Sequence, residues 1–164
     1  MWGNVGETVY FWRTKRIGMM FSGTVTAKMD AKGRVFFPAA FRRLLGAGEQ
    51  QFVLRRDVHQ PCISVYPLAA WEAEVSALRA RLNRWDARGA AVFRRFVGDS
   101  EKVQLDASGR LLLSRRWVEA AALGHEVAFV GVDDRIEIWA AGSEALYSGD
   151  MGADVQALLG GGIV

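Results

Sequence analysis

Two short segments carry the side chains best suited to recognise a charged partner. Asp30-Ala31-Lys32-Gly33-Arg34 and Asp106-Ala107-Ser108-Gly109-Arg110 hold Asp, Ala, Gly and Arg at the same places, in two widely separated parts of the chain. Arginine is planar and permanently charged, and it can grip a phosphate or the O6/N7 edge of guanine at two points. Arg34 and Arg110 are therefore candidate nucleic-acid contacts. Lys32 adds a second cation to the first segment only, where the second has Ser108. Asp30 and Asp106 can orient the neighbouring Arg or hold the turn, while Gly33 and Gly109 accept φ > 0. Taken singly, each segment is better read as a good hairpin turn with a solvated Arg. Recurrence of the whole turn brings the two readings level.

The rest of the chain offers little to catalysis. His59 and Cys62 share a loop, but a metal there would need further ligands from elsewhere, and His125 is distant in sequence. Asp133-Asp134 reads as a solvated hairpin tip. A hydrolase built on Asp30 and Asp106 would need an acid–base partner or metal beside them. No Gly-x-Ser-x-Gly, no His-Glu-x-x-His and no Gly-rich phosphate loop before a helix is present. We expect no enzyme, no catalytic residue, no metal, no cofactor and no small-molecule substrate.

The turns must be positioned by the elements around them, and those elements also repeat. Phe21, Val25, Ala27 and Met29 alternate with Ser22, Thr24, Thr26 and Lys28, the period of a half-buried strand. Phe21-Ser22-Gly23 is matched upstream of the second turn by Phe96-Val97-Gly98. After the first turn come a short strand (34–37), a helix opened by Pro38 with Phe41, Leu44 and Leu45 on one face, and strands at 52–56 and 63–66. The second copy gives a strand at 102–105, the turn, a helix with Ser114 at its N-cap and Trp117, Ala120 and Ala121 on its apolar face, and strands at 127–130 and 135–139. Between the copies, Trp71, Val75, Leu78 and Leu82 recur at helical spacing, and Asp86 can cap a second helix with Ala90, Phe93 and Val97. The tail predicts at most a short helix over 154–159. The resulting division is 1–19 extension, 24–67 first repeat, 68–94 helical connector, 95–139 second repeat and 140–164 tail.

The chain has 164 residues and a formal net charge of +3, which conceals an uneven distribution. Residues 1–19 carry +2, residues 20–98 carry 13 basic against 6 acidic groups, and residues 99–164 carry 5 against 11. One half is basic and the other acidic. The connector arginines 79, 81, 84, 88, 94 and 95 form either a solvated face, a phosphate contact or a surface for an acidic partner. A membrane-surface role is disfavoured because Trp71 and Leu78 are needed for the core. The longest uncharged run, Val58 to Trp71, is interrupted by Pro61 and Pro67 and is too short for a membrane span. The first residues do not read as a secretory signal, since their cations follow the apolar residues. A single cysteine fits a reducing compartment.

Several motifs in combination resemble the MraZ family: Met20-Phe21-Ser22-Gly23, Met29 to Arg34, Phe37-Pro38, His59-Gln60-Pro61-Cys62, Tyr66-Pro67-Leu68 with Trp71-Glu72, Asp106 to Leu112, and Ile136-Glu137-Ile138-Trp139. The similarity runs from Met20 to about Tyr147. It implies an α+β fold in which two tandem AbrB-like β-hairpin/helix halves pack pseudo-symmetrically into one small barrel-like domain with a helical connector. It implies a cytoplasmic, nucleoid-associated regulator of the division and cell-wall gene cluster, including its own promoter. Such a regulator binds short direct repeats of double-stranded DNA as a homo-oligomeric ring. Carried over by position, the DNA contacts are Lys32, Arg34 and Arg110, with Asp30, Gly33, Asp106 and Gly109 shaping the motif. Residues 1–19 have no counterpart, so Met20 is expected to be the native start. An antitoxin-type interaction module of the AbrB fold is the alternative.

Overall fold

A computed structural model describes residues 20–46, 50–143 and 149–160. The N-terminal extension and the last glycines of the tail lie outside the described residues. In chain order the elements are β1 (Thr24–Lys28), β2 (Arg34–Phe36), α1 (Ala39–Arg42), β3 (Gln51–Arg56), β4 (Ile63–Pro67), α2 (Leu68–Arg81), α3 (Ala87–Gly98), β5 (Glu101–Gln104), β6 (Arg110–Leu112), α4 (Arg115–Ala120), β7 (Glu126–Val132), β8 (Arg135–Ala140) and α5 (Met151–Leu159).

The strands do not pair as two self-contained halves. One antiparallel sheet runs β1-β7-β8-β4-β3-β5, and β2 pairs with β6 in a separate two-stranded ribbon. Exchanging β1 with β5, β3 with β7 and β4 with β8 reverses the order and leaves it unchanged, so the two copies are related by a pseudo-two-fold. Each lends its first strand to the other: β1 pairs β7, and β5 pairs β3. In the ribbon Val35 faces Leu111, its own counterpart in the second copy. In the sheet, β4 and β8 meet at Ile63↔Ile138, Ser64↔Glu137 and Val65↔Ile136.

Three expectations change. The Asp-Gly turns are not hairpin loops: between β1 and β2 only the bridge Met29↔Val35 forms, and the turn carries the chain from the sheet to the ribbon. A three-residue strand gains more by joining its buried twin than by extending a ladder on β1. Next, β1 and β5 end the ladder on opposite sides, so the expected barrel is not closed among the described residues. Finally, Phe96-Val97-Gly98 lies within α3, whereas Phe21 is extended and bridged to Asp133, so that flank does not correspond. Smaller differences are a one-turn α1, a Ser114 whose side chain makes no cap bond, and an α5 that starts at Met151, capped by Asp150.

Both copies feed one core. Phe37 stands between Phe52 and Phe129, at centroid distances of 4.9 and 5.9 Å, and Phe21 meets Phe41 edge-on at 5.8 Å. Trp117, Leu111, Leu113, Ile136 and Ile138 complete it from the second copy. The connector helices lie on the outer side of β3 and β4, where Trp71 packs with Tyr66 and stacks on Phe96 at 5.4 Å. Burying large apolar side chains at about 1.5–3 kcal/mol each makes this shared core the main source of stability.

The ribbon is locked at both ends. Leu113 N–H donates to the Gly33 carbonyl (2.8 Å) and Phe37 N–H to the Gly109 carbonyl (3.0 Å). Gly33 and Gly109 sit at φ +86° and +83°. A Cβ on Gly33 would strike the Leu113 carbonyl oxygen, while on Gly109 the three nearest atoms it would meet belong to the Arg42 guanidinium. Left-handed backbone costs an L-residue about 1–2 kcal/mol, so Gly109→Ala should lose roughly that much. Gly33→Ala should lose distinctly more, because a backbone carbonyl cannot swing aside as a side chain can. Thermal denaturation of the two variants side by side tests this, and equal losses would contradict it.

Candidate functional site

The two Asp–Arg turns are built alike, atom for atom. Asp30 Oδ1 accepts from the backbone N–H of Lys32 (3.0 Å) and Arg34 (2.9 Å), and Oδ2 accepts from Arg34 Nε (2.7 Å). Asp106 Oδ1 accepts from Ser108 and Arg110 N–H (2.9 Å each), and Oδ2 from Arg110 Nε (2.8 Å). Asp is needed because its short carboxylate reaches the backbone two and four residues ahead. The Arg34 N–H first, then the Arg34 guanidinium and the Lys32 N–H, hold the Asp30 carboxyl below its usual range against desolvation. Asp106 is lowered in the same way by the N–H of Arg110, its guanidinium and Ser108.

Nε is consumed in fixing each arginine. Among the described residues the Nη atoms of Arg34 and Arg110 donate no hydrogen bond, so the two-pronged end of each guanidinium is left for a ligand. The pairing Arg34↔Leu112 and Phe36↔Arg110 brings both arginines onto one ribbon. Strand spacing then sets their Cα atoms roughly 8 Å apart. The structure thus places all seven residues singled out in the sequence in two turns, one at each end of a single ribbon.

Sequence reasoning missed Arg42. This exposed residue closes α1, and its guanidinium covers the face of Gly109. It makes no side-chain hydrogen bond or ion pair among the described residues. The second turn lacks the lysine of the first, and Arg42 supplies a cation there. Its counterpart in the second copy is Val118, which has no charge to return to the first turn. No local signal reveals this contact, because it joins α1 of the first copy to the turn of the second and depends on the exchange of strands.

Other candidates recede. His59 and Gln60 N–H both donate to Asp57 Oδ1 at 2.8 Å, which makes an ordinary Asp-closed loop. Cys62 is fully buried, and its ligand atom lies within 4.8 Å of those of Asp57 and Glu137. Burial above all, with Glu137 and Asp57, pushes the thiol far above its usual range. Asp133 is more than a hairpin tip: its backbone exchanges hydrogen bonds with Phe21 at 2.7 and 2.9 Å. Arg55 is buried with its guanidinium 3.8 Å from the Phe96 ring centre, so it adds little to the basic surface. No helix among the described residues is long and apolar enough to cross a membrane.

A pH dependence follows from the lowered carboxyls. A group whose pKa is lower folded than unfolded adds stability that is complete above the unfolded value, about 3.9 for Asp. That stability disappears as pH falls through the folded values. The stability difference between the parent chain and an Asp30→Asn/Asp106→Asn variant should therefore be constant from pH 7 to 5 and shrink below pH 4. A difference that stays constant to pH 2 would show that the ionised carboxylates do not hold the turns.

Most of the chain is similar in sequence to known proteins. Residues 20–93 and 96–143 match the family described as "MraZ protein, putative antitoxin-like". A protein of Phocaeicola vulgatus named "Transcriptional regulator MraZ" is 41% identical over 146 residues, which is 87% of this chain and 95% of that one. Proteins of the same name from Bacteroides fragilis and Erwinia tasmaniensis are 46% and 36% identical over 121 residues, 73% of this chain and 77% and 79% of theirs. With its paired Asp–Arg turns and matches over most of its length, the chain belongs to the MraZ family.

Proposed function

We propose that this protein is a sequence-specific DNA-binding regulator of transcription. It acts in the cytoplasm, on the nucleoid, at the promoter of the division and cell-wall gene cluster that includes its own gene. The carrying observation is the pair of pre-formed arginines: each is held through Nε by its own Asp, with the Nη edge unpaired among the described residues. A guanidinium fixed in this way loses little freedom on gripping guanine O6 and N7 or a phosphate. A two-stranded ribbon is one of the elements that fit the major groove. Arg34 and Arg110 read base edges, while Lys32 and Arg42 neutralise phosphates beside the first and second turns. The names of the relatives support a regulator of transcription.

The working unit is two AbrB-like repeats, 24–67 and 95–139, joined by the 68–94 connector. One ribbon offers few contacts, so affinity comes from a ring of subunits that sets several ribbons against short direct repeats at high effective concentration. The basic first half of one subunit faces the acidic second half of the next, a head-to-tail contact of the kind that closes rings.

The test is binding to the DNA upstream of the gene. Arg34→Ala should cost about 1–3 kcal/mol per engaged site and relax sequence preference. Arg42→Ala should weaken binding evenly across sequences and reduce its salt dependence by about one counterion. Unchanged affinity of Arg34→Ala would remove it from base reading. No binding of the parent chain to this DNA would overturn the reading in favour of a protein-interaction module.

A further inference from the structure

The ribbon breaks the usual rule for an exposed strand face. Along β2 and β6, Val35 and Leu111 point into the core, 1% and 0% exposed. Alternation puts Arg34, Phe36, Arg110 and Leu112 on the outer face. Polar residues are expected there, yet Phe36 is 62% and Leu112 56% exposed. Single exposed apolar residues need no explanation. Here the same exception recurs in both copies, two residues after each motif arginine, on opposite corners of one surface. The register makes a checkerboard, with Leu112 across from Arg34 and Phe36 across from Arg110.

What covers this face must be anionic and must also offer apolar points about 5–7 Å from its hydrogen-bond acceptors. Lys32, Arg34, Arg42 and Arg110 surround it, so an apolar partner alone would leave those charges unmet. The major groove of double-stranded DNA has both features: guanine presents O6 and N7, and thymine presents a C5 methyl. Alternate residues on a strand are about 6.8 Å apart, equal to two base-pair rises of about 3.4 Å. A side chain two positions from an arginine that reads guanine therefore arrives two base steps away.

We infer that Phe36 and Leu112 are specificity residues that contact thymine methyl groups flanking the guanines read by Arg34 and Arg110. This rests on the DNA-binding reading and deepens it. The recognised boxes contain thymine within two steps of a contacted guanine, and methyl burial contributes to discrimination alongside the arginine contacts.

Replacing thymine by uracil in the upstream duplex deletes only the methyl groups and keeps every pairing edge. The full chain should bind the uracil duplex about four-fold more weakly per contacted methyl. Phe36→Ser and Leu112→Ser should bind the thymine duplex more weakly and distinguish less between the two duplexes. Both side chains are exposed, so melting temperatures should stay near the parent value and confirm that the variants are folded. Equal affinity of the parent for both duplexes would overturn the methyl contact while leaving DNA binding intact. Binding to neither duplex would defeat the underlying reading itself. If Phe36→Ser changed the mass of the assembly in solution and left the thymine–uracil ratio at its parent value, the face would be a contact between copies and the inference would fall.

Discussion

Everything in this fold depends on the exchange between the two copies at the β2–β6 ribbon. Neither copy supplies partners for its own first two strands. β1 has its ladder on β7, β5 on β3, and Val35 is buried against its twin Leu111. Separating the copies would leave all eight strands without at least one partner and split the aromatic core, and unpaired buried backbone groups are among the most costly defects a fold can carry. The same exchange creates the site. The Asp–Arg turns are the two ends of the ribbon, so whatever holds the copies together also holds the arginines in register.

The pseudo-symmetry is not complete, and its departure lies at the site. Lys32 serves the first turn, Ser108 stands in the second, and Arg42 reaches over from α1 to restore a cation there. The two ends therefore carry similar charge by different routes. One cation rides on the turn itself and the other on a helix from the opposite copy. A surface made in this way can differ in geometry from end to end while keeping its overall affinity for an anionic partner. The total charge of +3 says nothing of this arrangement. What counts is that four cations converge on a few strand residues, while Arg55, nominally part of the basic half, is buried under Phe96.

The local pieces were legible in the sequence because short-range rules produce them. Alternation marks β1, Asp-x-x-Gly marks the turns, Pro38 opens α1, and the 3–4 spacing from Trp71 marks α2. Strand partnership was not legible. Two copies of one unit have the same pattern, so pairing within a copy and pairing across copies satisfy the same periodicity, and only tertiary packing chooses between them. Arg42 escaped for that reason. Phe36 and Leu112 need not have escaped, since with Val35 and Leu111 facing inward their parity already puts them outside. Asp133 is the exposed hairpin tip that the sequence suggests, and its backbone bridge to Phe21 is an addition that no side-chain rule reports.

The central claim is that the paired turns, carried on one ribbon, form the surface that meets DNA. Hydrogen–deuterium exchange of the full assembly, with and without the upstream duplex, tests it most directly. New protection is expected in peptides spanning residues 30–36 and 106–112 together, with α5 unaffected. Protection gathered on the α2–α3 connector, with both turns exchanging as in the free protein, would contradict it.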